Sequence, residues 1–99
     1  MLFLARMDVV FPESMDAVTK ADLQAQEKEY SGNLQRQGLM KGIWRIVGEY
    51  ANYSIFDVDG HDELHELLSG FPMFPHMNVT VTPLAKHPNA TLDDFFGAQ

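Results

Sequence analysis

A single carboxylate on an otherwise apolar helix stripe is the clearest chemical feature of this 99-residue sequence. At about 100° per residue, Glu27 falls in line with Leu23, Tyr30 and Leu34. Burial raises the pKa of a carboxylate and makes it a stronger base, so this position is suited to moving a proton. Structural carboxylates outnumber catalytic ones, so Glu27 could instead reach water at the edge of the stripe, or pair with Lys20 or Arg45. The helix pattern alone leaves both interpretations open.

A predicted β-hairpin offers polar partners for this carboxylate. If Gly48-Glu49 is a two-residue turn, Arg45 pairs with Asn52. By the same register Ser54 lies on that face too, whereas a slip of one residue would bring Trp44 beside Asn52 and Ser54. Polar groups in the middle of paired strands fit either a cavity for a polar ligand or an exposed sheet face. The opposite face would carry Trp44, Ile46, Ala51, Tyr53 and Ile55.

The composition removes several other kinds of chemistry. The chain has no cysteine, so disulfides, thiolate nucleophiles and cysteine-based metal sites are absent. His61 and His65 stand at i and i+4, but no third ligand is near them in sequence, and we predict no metal site. There is no glycine-rich phosphate loop, nucleophile elbow or dinucleotide fingerprint. We therefore expect chemistry by ordinary side chains without a cofactor.

Charge and hydropathy argue against nucleic acids and membranes as partners. The formal net charge is -7 at pH 7, whereas binding to a phosphate backbone needs a basic face. No stretch approaches the roughly 20 apolar residues that span a bilayer. The opening MLFLARMDVVF has the pattern of a strand and not of a signal peptide. We expect a cytoplasmic protein.

The order of the predicted elements indicates the fold that positions these side chains. β-rich runs at 2–10, 43–47, 50–58 and 78–84 alternate with helical patterns at about 16–37 and 61–69. The order β-α-β-β-α-β predicts a ferredoxin-like α+β fold, in which an antiparallel sheet carries both helices on one face. We expect a single domain over residues 1–88 and a tail over residues 89–99.

The free face of such a sheet must be covered or polar. Because these strands are apolar, we expect two chains to pair sheet to sheet. In the tail, the adjacent Phe95 and Phe96 favour packing against a neighbouring chain.

Several segments of the chain resemble muconolactone isomerases. They are MLFLARM, Q-x-x-E-K-E, L-Q-R-Q-G, W-R-I-V-G-E-Y-A-N-Y-S-I-F-D-V, E-L-H-E-L-L, F-P-M-F-P-H-M and His87-Pro88. The resemblance covers about residues 1–88, and its central block is long and specific. His76 departs from it, since the family pattern has a tyrosine there.

The resemblance implies a dimeric α+β barrel type of fold, a homodecamer built from dimers, and active sites shared between chains. It implies a bacterial pathway of catechol degradation, the 3-oxoadipate pathway, and no cofactor. The implied reaction shifts the double bond of muconolactone to give 3-oxoadipate enol-lactone, with Glu27 as the base.

The substrate of that reaction suggests roles for further residues. Asn52, Ser54 or His65 would donate hydrogen bonds to the lactone oxygen. Arg45 or Lys20 would bind the substrate carboxylate. The apolar walls would come from Tyr30, Trp44, Phe71 and Phe74.

Two alternatives remain at the level of sequence. A 5-chloromuconolactone dehalogenase on the same scaffold would use the same Glu27, with chloride leaving after proton removal. A non-catalytic small-ligand-binding dimeric α+β domain would instead show a solvated Glu27 and a cleft without convergent polar groups.

Overall fold

The computed structural model describes residues 1–91, so the predicted packing of Phe95 and Phe96 lies outside the described residues. The elements are β1 Leu2–Val9, α1 Ala17–Arg36, β2 Met40–Arg45, β3 Ala51–Asp57, α2 His61–Ser69, a short 3-10 turn Phe74–His76 and β4 Met77–Leu84. The predicted order of strands and helices is confirmed.

The four strands form one antiparallel sheet in the order β2-β3-β1-β4. This order places β1 and β3 in the centre, as the ferredoxin-like fold requires. Arg45 pairs with Asn52, and Ile43 pairs with Ser54, so the predicted register of the hairpin is confirmed.

The predicted two-residue turn of this hairpin is wrong. β2 ends at Arg45 and β3 begins at Ala51, so residues 46–50 form the loop. The Glu49 N–H donates to the Ile46 carbonyl oxygen at 3.1 Å, which closes a β-turn over residues 46–49. Gly48, the third residue of this turn, has φ 82°, a backbone conformation that glycine adopts without a steric cost.

Both helices pack on one face of the sheet because buried and more exposed side chains alternate along the strands, which puts the buried ones on the same face. Phe3, Ala5 and Met7 point inward from β1 and are buried. Leu64 and Leu68 of α2 and Leu34 of α1 belong to the same buried cluster. Burying one large apolar side chain contributes roughly 1.5–3 kcal/mol, so this cluster is a major source of stability.

Local signals set the ends of α1. The Asp16 carboxylate accepts a hydrogen bond from the Thr19 N–H at 2.7 Å, as an N-cap does. This bond holds the pKa of Asp16 below its usual value. The helix ends at its C-cap Gln37, and Gly38 follows with φ 77°.

The outer face of the sheet combines apolar side chains with an ion-pair cluster. The Arg6 guanidinium contacts Asp8 at 3.0 Å and Glu49 at 2.8 Å. Beside this cluster, Trp44 is 46% exposed and Tyr53 is 38% exposed. None of the helices within residues 1–91 is both long and apolar enough to cross a membrane.

Candidate active site

A cavity of about 420 Å³ lies between the middle of α1 and the inner face of the sheet. Glu27 and Gln24 line it from the helix, and Arg45 and Asn52 line it from the strands. The remaining lining residues are Met7, Val9, Lys28, Ser31, Ile43, Tyr50, Phe71, Met73 and Met77. The cavity therefore has apolar walls and a few polar groups that converge on it.

The sequence of α1 explains why space remains here. Leu34, near the end of the helix, is buried in the core. Toward the middle of the helix, the stripe has the half-buried Glu27 in place of a large aliphatic side chain that could fill the gap. The polar position in the stripe thus coincides with the cavity.

Glu27 is held at the edge of this cavity by a backbone hydrogen bond. Its Oε1 accepts from the Met73 N–H at 3.1 Å. Burial raises the pKa of Glu27, and the hydrogen bond from Met73 offsets part of this rise. Within residues 1–91 no Lys or Arg nitrogen lies within 4.0 Å of its carboxylate. Glu27 is thus a half-buried carboxylate without a countercharge in contact.

The connection between α2 and β4 presents this N–H. Phe71 and Met73 are buried, which anchors the segment beneath α1. The Phe74 N–H donates to the Phe71 carbonyl at 2.9 Å, and the His76 N–H donates to the Met73 carbonyl at 2.8 Å. The segment is therefore a series of tight turns, and the Met73 N–H is free to point at Glu27.

Two strand residues face the carboxylate across the cavity. The Arg45 guanidinium carbon lies 5.0 Å from the centroid of the Tyr50 ring, and the Tyr50 hydroxyl accepts a hydrogen bond from Gln24 at 3.0 Å. Asn52 donates from Nδ2 to Ser54 Oγ at 2.9 Å. Ser54 is 0% exposed and lies outside the cavity lining, so it holds the Asn52 amide in place.

This arrangement suits a proton transfer on a small anion. A desolvated carboxylate can take a proton from carbon, an amide can donate to a developing oxyanion, and a guanidinium can bind a carboxylate. The family model of muconolactone delta-isomerase matches residues 1–90 of the chain. The chain belongs to the muconolactone delta-isomerase family.

Individual relatives agree with this membership, and all of the following carry the name of the isomerase. Muconolactone Delta-isomerase of Cupriavidus pinatubonensis is 58% identical over 90 residues, which cover 91% of this chain and 98% of the relative. The Rhodococcus opacus enzyme is 52% identical over 86 residues, covering 87% of this chain and 92% of the relative. A crystal structure of muconolactone isomerase superposes with a TM-score of 0.88 at 44% identity, covering 92% of this chain and 95% of that one. The chain is thus an isomerase with a ferredoxin-like α+β fold.

Besides Ser54, five residues predicted for the site of this muconolactone delta-isomerase family member lie outside the lining of the cavity. Lys20 Nζ lies 5.3 Å from the centroid of the Phe11 ring. Trp44 is on the outer face of the sheet, and Phe74 packs partly buried against the core. Tyr30 donates its hydroxyl hydrogen to the Leu67 carbonyl at 2.7 Å. The fifth residue is His65.

His65 belongs to a second, smaller cavity of about 240 Å³ between α2 and the sheet. His61, Phe3 and Val81 also line it. The helical pattern of α2 places His65 beside Leu64 and Leu68. This pattern does not show which end of the sheet α2 covers, and therefore which cavity His65 lines. Within residues 1–91, no three His, Asp or Glu side chains cluster as a metal site would require.

Several lining residues were missed in the sequence. Gln24 and Ser31 stand three before and four after Glu27 on α1, so the same helical spacing could have found them. Tyr50 is the last residue of the hairpin loop and lines the cavity, and the prediction of a shorter loop did not place it there. The Met73 N–H is a backbone donor, and the pattern of side chains in the sequence does not predict its position.

Proposed function

We infer that this chain catalyses the muconolactone delta-isomerase reaction, which converts muconolactone to 3-oxoadipate enol-lactone. The observation that carries the proposal is Glu27, which is half-buried over a polar-edged cavity without a contacting cation and is fixed by the Met73 N–H. A non-catalytic binding domain would be expected to have a solvated Glu27 and no convergent polar groups, and this geometry argues against it.

Glu27 would act as a base and then as an acid. Its carboxylate removes a proton from one ring carbon, and the electron pair moves the double bond while negative charge develops on the lactone oxygen. The protonated Glu27 then returns the proton to another ring carbon, so that no net proton is lost. A single rigid carboxylate above one face of the ring can perform both transfers.

Arg45 and Asn52 would bind the two anionic parts of the reacting lactone. Arg45 is the cation that lines the cavity from the strands, and we assign the substrate carboxylate to it. The amide of Asn52 would donate to the lactone oxygen as charge develops there. Ser54 would act through Asn52, which it already contacts at 2.9 Å.

We also propose an oligomer, a homodecamer with sites shared between chains, that works without a cofactor in the cytoplasm as part of the 3-oxoadipate pathway. The exposed Trp44 and Tyr53 on the outer sheet face support association. Lys20, His65 and Phe74 stay predictions for substrate contact. If sites are shared between chains, these residues would contact substrate that is bound in the cavity of a neighbouring chain. Light scattering at micromolar concentration should give an assembly, and a stable monomer would contradict this part.

The central test is turnover of muconolactone and of its 5-chloro analogue, followed by formation of the enol-lactone and by release of chloride. Glu27→Gln should lower kcat by about a thousandfold, because general acid–base catalysis typically contributes factors of about 10² to 10⁴. Glu29→Gln is the matched control, since Glu29 is an exposed carboxylate on the same helix. Retention of most activity by Glu27→Gln would remove Glu27 as the base. Preferred turnover of the chloro analogue with chloride release would indicate a dehalogenase.

A further inference from the structure

Tyr30 connects α1 to the end of α2, directly beside the segment that contacts Glu27. Its hydroxyl donates to the Leu67 carbonyl at 2.7 Å. Its ring meets the Phe71 ring edge-on, with the centroids 4.7 Å apart. Tyr30 lies one helical turn after Glu27, and Phe71 lies two residues before Met73. The contact therefore joins the element that carries the carboxylate to the segment that carries its hydrogen-bond donor.

The fit between Tyr30 and Gly70 leaves no room for a side chain at position 70 unless Tyr30 moves. A Cβ built on Gly70 would lie 2.5 Å from the Tyr30 hydroxyl oxygen and 3.2 Å from Cζ. The φ of Gly70 is -81°, which every residue can adopt, so the need for glycine comes from space alone. Tyr30 can reach the Leu67 carbonyl because Gly70 has no side chain.

We propose that Tyr30 is a positioning residue for the isomerisation, which together with Gly70 sets the place of the Met73 N–H against Glu27. The proposal rests on the proposed role of Glu27 as the base. Tyr30 lies outside the cavity lining and so acts through Phe71 and Met73 and not on the lactone. This assignment replaces a role for Tyr30 as a substrate wall.

Movement of residues 71–73 would change the two factors that set the pKa of Glu27. Burial is the larger factor and raises this pKa, whereas the hydrogen bond from the Met73 N–H lowers it. The titratable groups around Glu27 are Lys28 and Tyr30 on α1, Arg45 on β2 and Tyr50 in the hairpin. Burial, Glu27 and Glu66 all raise the pKa of Tyr30, so its hydroxyl stays a donor. Loosening the segment would admit water and lower the pKa of Glu27 toward its usual range.

The first experiment compares Tyr30→Phe with Ser69→Ala. Ser69 donates to the His65 carbonyl at 2.8 Å, so its variant removes a hydroxyl-to-carbonyl bond at the same end of α2 without touching Tyr30. Tyr30→Phe should lower kcat about tenfold and change KM by less than about twofold, since small displacements of a catalytic group cost up to about 100-fold. The acid limb of its pH profile should move to lower pH. Ser69→Ala should behave as the wild type.

A second experiment tests the fit by rescue. Gly70→Ala pushes its Cβ against the Tyr30 hydroxyl, and kcat should fall more than in Tyr30→Phe. Because Phe lacks that oxygen, the double variant Tyr30→Phe with Gly70→Ala should recover activity relative to Gly70→Ala alone. Additive losses in the double variant would overturn the proposed fit.

A third measurement separates this proposal from the assignment of Glu27 as the base. Titration of the Glu27 carboxyl by carbon-13 NMR should give a lower pKa in Tyr30→Phe than in the wild type or Ser69→Ala. An unchanged Glu27 titration in Tyr30→Phe overturns the positioning role, whatever the kinetics. If the titration moves but Glu27→Gln keeps its activity, the positioning of Glu27 stands and the proposed base is wrong.

Discussion

The two ends of α1 meet the same sheet in different ways. Near its C-terminal end, Leu34 is 4% exposed and belongs to the buried cluster that contains Met40 and Phe56. Earlier in the helix, Leu23 and Glu27 are only half-buried, and at Glu27 a cavity separates the helix from the sheet. One helix thus has a packed end and an open end. The packed end provides stability, and this stability lets the open end keep a carboxylate partly out of water.

The largest effect on stability is expected at the packed end. Leu34→Ala should lower the free energy of unfolding by about 2–5 kcal/mol, since a buried leucine leaves a cavity when it is truncated. Leu23→Ala, at the open end, should cost about 1 kcal/mol or less, because that side chain is already partly exposed. Urea unfolding measures both. Equal losses would mean that the two ends contribute alike.

The next largest effect is on substrate binding at the open end. Arg45→Gln should raise KM by about 10- to 100-fold, since a hydrogen bond to a charged group contributes about 1.5–3 kcal/mol. The Tm should hardly change, because Arg45 is exposed. Arg36→Gln is the control, as Arg36 is an exposed arginine at the packed end of α1. A KM that is the same in both variants would argue against Arg45 as the binding group.

The pH dependence of kcat/KM should reveal the environment of Glu27. The carboxylate is the active form of the base, so activity falls as pH drops through its pKa. Because burial raises this pKa above the usual 4.5, the acid limb should have its midpoint above pH 4.5. A pH–rate profile of the wild type provides the measurement. A midpoint at or below 4.5 would indicate a solvated carboxylate.

The smallest effect is a gain in stability at the open end. A carboxyl whose pKa is raised by folding binds its proton more tightly in the folded state, so its ionisation disfavours that state as pH rises. Glu27→Gln should therefore raise the Tm at pH 7 by about 1–3 °C, with a smaller gain near pH 4. Thermal unfolding of Glu29→Gln at both pH values is the control. A loss of stability would mean that the charge of Glu27 stabilises the fold.

Much of this arrangement could be predicted from the sequence because local patterns determine it. α2 spans the nine residues from His61 to Ser69, as its leucine spacing and Gly70 indicate. The hairpin signal at Gly48-Glu49 predicted the register that pairs Arg45 with Asn52, and this register brings both residues toward Glu27. The helical spacing of α1 indicated that Glu27 faces the sheet.

The rest depended on tertiary contacts that a pattern does not contain. The hairpin loop is longer than predicted, because its turn lies at residues 46–49 and not at Gly48-Glu49 alone. His65 lines another cavity because α2 covers the other end of the inner face. The Met73 N–H reaches Glu27 across a separation of 46 residues, and only the folded chain brings the two together.

Trp44 is the one tryptophan of the chain, and its ring lies across the backbone of Gly42 on the outer face of the sheet. The sheet separates this indole from the cavity that holds Glu27. Tryptophan fluorescence of the protein is therefore a reporter of one surface. Its emission should shift to shorter wavelength when another chain covers the outer face, and it should stay constant when a lactone enters the cavity. Intrinsic fluorescence can thus follow assembly without a label, and independently of substrate.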